Sequence, residues 1–154
     1  MIIRGLVSGE AHGTARARNA AIAERLYDVL PGLRGFDLGT LNVAVVSPPD
    51  LKVARLEGPG RVSVEVPDTR CEWRERPLKA ETISILPVEF NVPGKVSRRA
   101  GYLYLASRSS RPRRGILELM SRENLRQTYG VEDGDAVQID LPSLKRDDGD
   151  WVKK

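Results

Sequence analysis

A series of short β-strand patterns, each ended by proline, glycine or charged residues, most constrains how this chain can fold. Apolar and polar residues alternate within these patterns, as the two faces of a strand require. Strands at this spacing favour an all-β barrel over a parallel α/β sheet. The predicted strands are 2–8, 40–46, 61–66, 82–91, 101–106, 116–120 and 136–141.

Two segments are predicted to form short helices between these strands. The first follows Asn19, a residue type suited to an N-cap, and ends before Pro31, which cannot continue a helical pattern. In the second, Ser121 is predicted to cap a helix that buries Leu125 and Tyr129.

The composition is that of a globular protein with one domain. Hydrophobic residues make up 40% and charged residues 30% of the 154 residues, enough for a core without disulfides or structural metal. We expect a single barrel domain at 1–141 and a charged, mobile tail at 142–154. No apolar run approaches the roughly 20 residues that span a bilayer, and the N-terminus lacks a secretory pattern. We therefore expect no membrane role and a cytoplasmic location.

The counts of cysteine and histidine exclude several kinds of site. Cys71 and His12 are each the only residue of their type, so one chain cannot form a disulfide or a Cys/His zinc site. No candidate base lies beside Cys71 in the sequence, which argues against a nucleophilic cysteine. The net charge of +4 suits an anionic small molecule as well as nucleic acid.

Three pieces of the sequence, in this order, resemble the archaeal type of CTP-dependent riboflavin kinase. They are the loop at 8–13, then Gly39-Thr40-Leu41-Asn42, then a C-terminal block that contains Ile116-Leu117-Glu118-Leu119, Leu125-Arg126 and Asp133-Gly134-Asp135. The resemblance implies a mainly β fold, a six-stranded cradle-loop (RIFT-type) barrel with one or two short helices. It implies phosphoryl transfer from CTP to the 5'-hydroxyl of riboflavin, giving FMN and CDP, with magnesium as cofactor. The partners would then be these small molecules rather than nucleic acid or a membrane, and no oligomeric state is implied.

Thr40 and Asn42 are the predicted metal ligands. Residues two apart on a strand point to the same face, so the pair offers two neutral oxygens side by side. Magnesium is a hard ion that accepts such ligands together with phosphates and water. The alternative is structural, with Thr40 suiting a strand and Asn42 satisfying a local backbone group.

Glu118 is the predicted catalytic base, because it matches the family glutamate that accepts the proton of the attacking ribityl hydroxyl. Its neighbours on the same face, Ile116 and Met120, are apolar, and an apolar setting raises the pKa of a carboxyl group toward neutrality. The alternative is a glutamate on the solvent face of an edge strand.

The loop after the first strand is the predicted nucleotide and phosphate site, because successive backbone N–H groups there can cradle phosphates. An ordinary turn is the alternative. The family pattern places a glycine where this chain has alanine, and aromatics where it has Thr-Ala-Arg. The predicted residues are Ser8, Gly9, Glu10, Ala11, His12, Gly13 and Thr14.

The arginine-rich segment at 108–114 precedes the strand that carries the glutamate. A guanidinium donates a planar pair of hydrogen bonds to phosphate, so this segment is predicted to hold anionic groups of the donor or product. The family more often has lysine or threonine and a histidine here, and a solvated connector is the alternative. The predicted flavin and phosphate ligands are Ser110, Arg111, Arg113 and Glu118.

Two functions from other classes compete with the kinase. Related cradle-loop barrels bind DNA, and arginines contact phosphates, although few aromatics are present for stacking on single strands. A non-catalytic homologue that binds another nucleotide or a flavin-like ligand would also keep the barrel. The arginines of the DNA hypothesis are Arg98, Arg99, Arg108, Arg111, Arg113 and Arg114.

Overall fold

The structure is a computed structural model that describes residues 1–9, 20, 22–37, 41–52, 56–70, 75–77, 79–106, 115–142, 144–145 and 151–152. The strands are β1 (Ile2–Val7), β2 (Leu41–Ser47), β3 (Val62–Val66), β4 (Glu81–Val92), β5 (Val96–Ala106), β6 (Ile116–Met120), β7 (Ala136–Asp140), β8 (Leu144–Lys145) and β9 (Trp151–Val152). The helices are α1 (Ala23–Val29), a single 3-10 turn (Pro31–Leu33) and α2 (Leu125–Tyr129).

The main sheet closes into a six-stranded antiparallel barrel with one additional strand. The strand order is β3-β4-β5-β6-β2-β1-β7, and β7 also pairs with β4, which closes the ring. Strand β4 is long enough to pair with β3 through its first part and with β7 through its later part. The predicted fold class, a mainly β six-stranded barrel with short helices, is confirmed.

Side-chain alternation along the strands produces two apolar layers. Leu41 and Val43 of β2 are buried inside the barrel, in a core that includes Leu117 and Leu119 of β6. On the outside of β3 to β6, a second layer lies beneath α1, where Leu26 is fully buried. The barrel interior is therefore filled by side chains, and the outer face of β3 to β6 carries a second apolar layer.

The helix starts differ from those expected. Asn124, not Ser121, caps α2, because its side-chain oxygen accepts a hydrogen bond of 3.1 Å from the backbone N–H of Gln127. Ser121 Oγ instead donates to the carbonyl of Glu123, so it serves the turn before the helix. Helix α1 begins after Ile22, and Asn19 lies outside the described residues.

Segment 142–154, predicted to be a mobile tail, contains the antiparallel pairing of β8 with β9. Its mobility and the domain boundary at 141 stay predictions. Within the described parts of the chain, no helix has the length and apolar character needed to cross a membrane.

Candidate functional site

The candidate site is a row of side chains on the outer face of the barrel. Asn42 of β2 is the cross-strand partner of Glu118 in β6, and Glu118 is in turn the partner of Tyr104 in β5. Cross-strand partners share a face of the sheet. Because the adjacent residues Leu41 and Leu119 lie in the barrel core, Asn42, Glu118 and Tyr104 point outward.

Ser8 extends this row to the neighbouring strand. Its backbone N–H donates a hydrogen bond of 2.9 Å to the carbonyl of Asn42, immediately after the end of β1. Asn42 and Glu118 therefore occur on the adjacent strands β2 and β6, and Ser8 directly follows β1, the strand on the other side of β2. One residue from each of the three resembling sequence pieces is present in this row, although the pieces are far apart in the chain.

The Glu118 carboxyl lies in surroundings that favour its neutral form. Burial raises its pKa from the ordinary value of 4.5 to about 7, and the negative charge of Glu81 adds to this effect. Met120 on the same face is fully buried, and Tyr104 is 2% exposed. The predicted apolar setting is present, and the carboxyl can accept or release a proton near neutral pH.

Glu81 and Tyr104 were not predicted from the sequence as site residues. Glu81 begins β4 and is 6% exposed, and it influences Glu118 only because the sheet brings β4 near β6 through β5. No local pattern marks either residue as part of a site. Glu81 immediately precedes the predicted strand 82–91, and sequence alone does not distinguish a charged residue there from a solvent-exposed one.

Gly9 is placed against the turn before β7. A Cβ atom at this position would overlap the Asp133 carboxylate, with Cγ of Asp133 at 3.0 Å. Arg126 contacts both sides of this junction, since its Nη2 donates to Asp133 Oδ1 at 2.6 Å and to the carbonyl of Ser8 at 3.4 Å. The start of the predicted phosphate loop therefore contacts Arg126 and Asp133, which belong to the C-terminal block of the resemblance.

Several predicted site residues lie outside the described part of the chain, so their placement stays a prediction. They are Glu10, Ala11, His12, Gly13, Thr14, Thr40, Ser110, Arg111 and Arg113. The same holds for Cys71, Arg108 and Arg114.

An open cavity of about 710 Å³ lies between the start of α1 and the segment after β3. Asn42 and Glu118 are not among the residues that line it. Its described lining consists of Ala20, Ile22, Ala23, Glu24, Arg25, Pro67, Asp68, Thr69 and Arg70. The charged residues in this lining are Glu24, Arg25, Asp68 and Arg70, so neither sign of charge dominates.

The chemistry of the described donors is compatible with magnesium. Asn42 offers a neutral amide oxygen beside the Glu118 carboxylate, and oxygen donors are the ligands that this ion prefers. Within the described ranges, no group of three or more histidine, cysteine, aspartate or glutamate side chains forms a metal cage. Donor phosphates and water would supply the other ligands, as magnesium sites in nucleotide enzymes commonly require.

Comparison of the chain with models of protein families and with curated proteins finds no match. The resemblance to riboflavin kinases therefore rests on the residues quoted above.

Proposed function

We propose that this protein is a CTP-dependent riboflavin kinase that transfers the γ-phosphate of CTP to the 5'-hydroxyl of riboflavin. The observation that supports this most is the cross-strand pairing of Asn42 with Glu118, beside Ser8, which directly follows β1. The amide proposed to bind metal, the proposed proton acceptor and the start of the predicted phosphate loop would then be adjacent. Because nucleoside triphosphates are cytoplasmic, the proposal includes a cytoplasmic location.

In the proposed reaction, Glu118 accepts the proton of the ribityl hydroxyl as its oxygen bonds to the γ-phosphorus. The bond from that phosphorus to the bridging oxygen of the β-phosphate breaks, and its electron pair leaves with CDP. A base with a pKa near 7 is half ionised at neutral pH, so it is available to take the proton and strong enough to hold it. Phosphoryl transfer otherwise depends mainly on alignment and electrostatics.

Asn42 and Thr40 would hold magnesium through their side-chain oxygens. When bound, magnesium supplies positive charge that neutralises the phosphates of the donor. The position of Asn42 between Ser8 and Glu118 would bring the γ-phosphate end of the donor to the base. The backbone that begins at Ser8 and Gly9 would orient the remaining phosphates.

The nucleic-acid hypothesis has less support because two of its arginines are already engaged. Arg98 forms ion pairs with Glu89 and Asp140. Arg99 forms an ion pair of 3.0 Å with Glu123 and stacks over the ring of Tyr129. Both side chains would have to break these ion pairs before they could contact DNA phosphates.

The test is incubation with riboflavin, magnesium and each of the four nucleoside triphosphates, followed by chromatographic detection of FMN. The proposal predicts FMN, with CTP as the preferred donor. Equal FMN from ATP and CTP would remove the preference for cytidine but keep the kinase. Absence of FMN with every donor would contradict the kinase and favour a non-catalytic binding protein.

A further inference from the structure

Strand β1 presents apolar side chains to solvent on its outer side, where an antiparallel strand normally carries polar ones. Its inward residues Ile3 and Val7 are buried in the barrel core. The alternate residues Ile2 and Leu6 are 42% and 44% exposed. Neither of these has a role in the chemistry proposed above, so the outer face of β1 needs a separate explanation.

The neighbouring strands extend this apolar surface. Leu6 is the cross-strand partner of Ala136 in β7 and of Ala44 in β2. Ala44 is in turn the partner of Ile116 in β6. Cross-strand partners share a face, so these side chains form one row across four strands. Val46, two residues beyond Ala44 on the same face, is 58% exposed. We call this surface the apolar strip, and its residues are Ile2, Leu6, Ala44, Val46, Ile116 and Ala136.

Charges of both signs border the apolar strip. Arg4 is exposed between the two outward apolar residues of β1, and within the described ranges no carboxylate forms an ion pair with it. Asp140 is the cross-strand partner of Ile2 in β7. Asp140 and Glu89 share the single guanidinium of Arg98, which leaves this pair of carboxylates with a net negative charge. The surface therefore has a positive group on one strand and a net negative group beside it.

The occupant that these features fit is a second copy of this chain. A closed two-fold dimer brings the same surface together from both copies, so that surface must complement itself. The apolar strip can pack on its equivalent, and the positive group of each copy can face the carboxylates of the other. An anionic membrane fits less well, because Glu89 and Asp140 would then face negative headgroups.

We propose that the apolar strip is the interface of a homodimer, in which Arg4 of each copy faces Asp140 and Glu89 of the other. Removing exposed apolar side chains from water supplies the favourable free energy of association. The charges set the relative orientation of the two copies more than the affinity. None of the strip residues is a predicted site residue, so the inference does not depend on the kinase.

The test is sedimentation velocity of the full chain at concentrations up to about 0.5 mM, where even a millimolar association is detectable. The wild type should dimerise. Leu6→Lys and Val46→Lys should each weaken the dimer by about tenfold or more, because each places an ammonium group in an apolar contact. Arg4→Glu should weaken it as well, and added salt should reduce that difference. Val29→Lys is the matched control, because Val29 is 42% exposed at the end of α1, outside the strip, and should leave the dimer unchanged.

A wild type that stays monomeric over the whole concentration range would overturn the proposal. A dimer that survives both lysine substitutions, in variants that thermal melts show to be folded, would also overturn it and place the interface elsewhere. Leu6→Thr and Val46→Thr keep residues suited to a strand and give the same comparison if a lysine variant does not fold. A monomer that binds vesicles of an anionic phospholipid would make the strip a membrane surface instead.

Discussion

Asn42 and Glu118 are direct cross-strand partners on the outer face of the barrel, in the ladder between β2 and β6. Side chains at such positions lie close enough to act on one ligand. The pairing explains how a short Gly-Thr-Leu-Asn motif and a distant glutamate can belong to one site. It also identifies Asn42 and Glu118 as the positions where substitutions can distinguish a catalytic role from a structural one.

Replacing Glu118 by glutamine should preserve substrate binding and reduce turnover by about 10²- to 10⁴-fold, the usual effect of removing a positioned proton acceptor. Glutamine keeps the shape of the side chain and cannot accept the hydroxyl proton. Steady-state FMN formation, with both substrates saturating, measures the change. Near-normal turnover would exclude Glu118 as the base.

The raised pKa of Glu118 predicts that turnover increases with pH through about 7 and then levels off, because the ionised carboxylate is the active form. A rate profile of the wild type measures this. A flat profile across that range would contradict a role for Glu118 as the base.

The same raised pKa predicts that the free energy of unfolding decreases as pH rises, whereas turnover increases. Because the folded value of about 7 exceeds the ordinary 4.5, the stabilisation is fully present below 4.5 and is lost as pH rises through 7. From about pH 5 to about pH 8, the wild type should lose about 2 kcal/mol relative to Glu118→Gln, allowing for partial solvation. Urea unfolding of the two proteins at both pH values tests this, and an unchanged difference would show that the carboxyl titrates normally.

Asn42→Leu should abolish magnesium-dependent CTP binding, because leucine has similar bulk and no amide oxygen. Riboflavin binding should survive, and the melting temperature should change little because this face is partly solvated. Titration calorimetry of the wild type and the variant gives the donor affinity. Asn91→Leu is a matched control on β4, and equal donor affinity in all three proteins would make Asn42 a structural residue.

Joint replacement of Arg111, Arg113 and Arg114 by alanine should raise the KM for the donor or weaken FMN retention, because each guanidinium is predicted to contact phosphate. The fold should persist, since an arginine-rich segment is predicted to lie at the surface, where substitutions usually have small effects on stability. Kinetics and a thermal melt of the triple variant are the measurements. Unchanged kinetics would identify the segment as a solvated connector.

The sequence predicted those features that depend on local alternation. Leu41 and Val43 lie on the face opposite Asn42 because a strand has a period of two, and this could be read without knowing the neighbouring strands. The strand bounds at Ile116–Met120 were likewise predicted correctly. The barrel itself was implied by the family resemblance together with the spacing of the strands.

Features that depend on long-range pairing or on competing local bonds were not predictable in this way. Tyr104 and Glu81 join the environment of Glu118 only through the order of β4, β5 and β6. Ser121 and Asn124 are both suitable caps, and the choice between them depends on the hydrogen bond that Ser121 makes to the turn at Glu123.

The most direct measurement follows the labelled γ-phosphate of CTP in reactions with riboflavin and magnesium, using the wild type, Asn42→Leu and Glu118→Gln. If the outer-face pair carries out phosphoryl transfer, the wild type forms labelled FMN and one CDP per FMN, and both folded variants lose most of this product. Labelled FMN at wild-type rates in both variants would contradict the assignment of the site to Asn42 and Glu118.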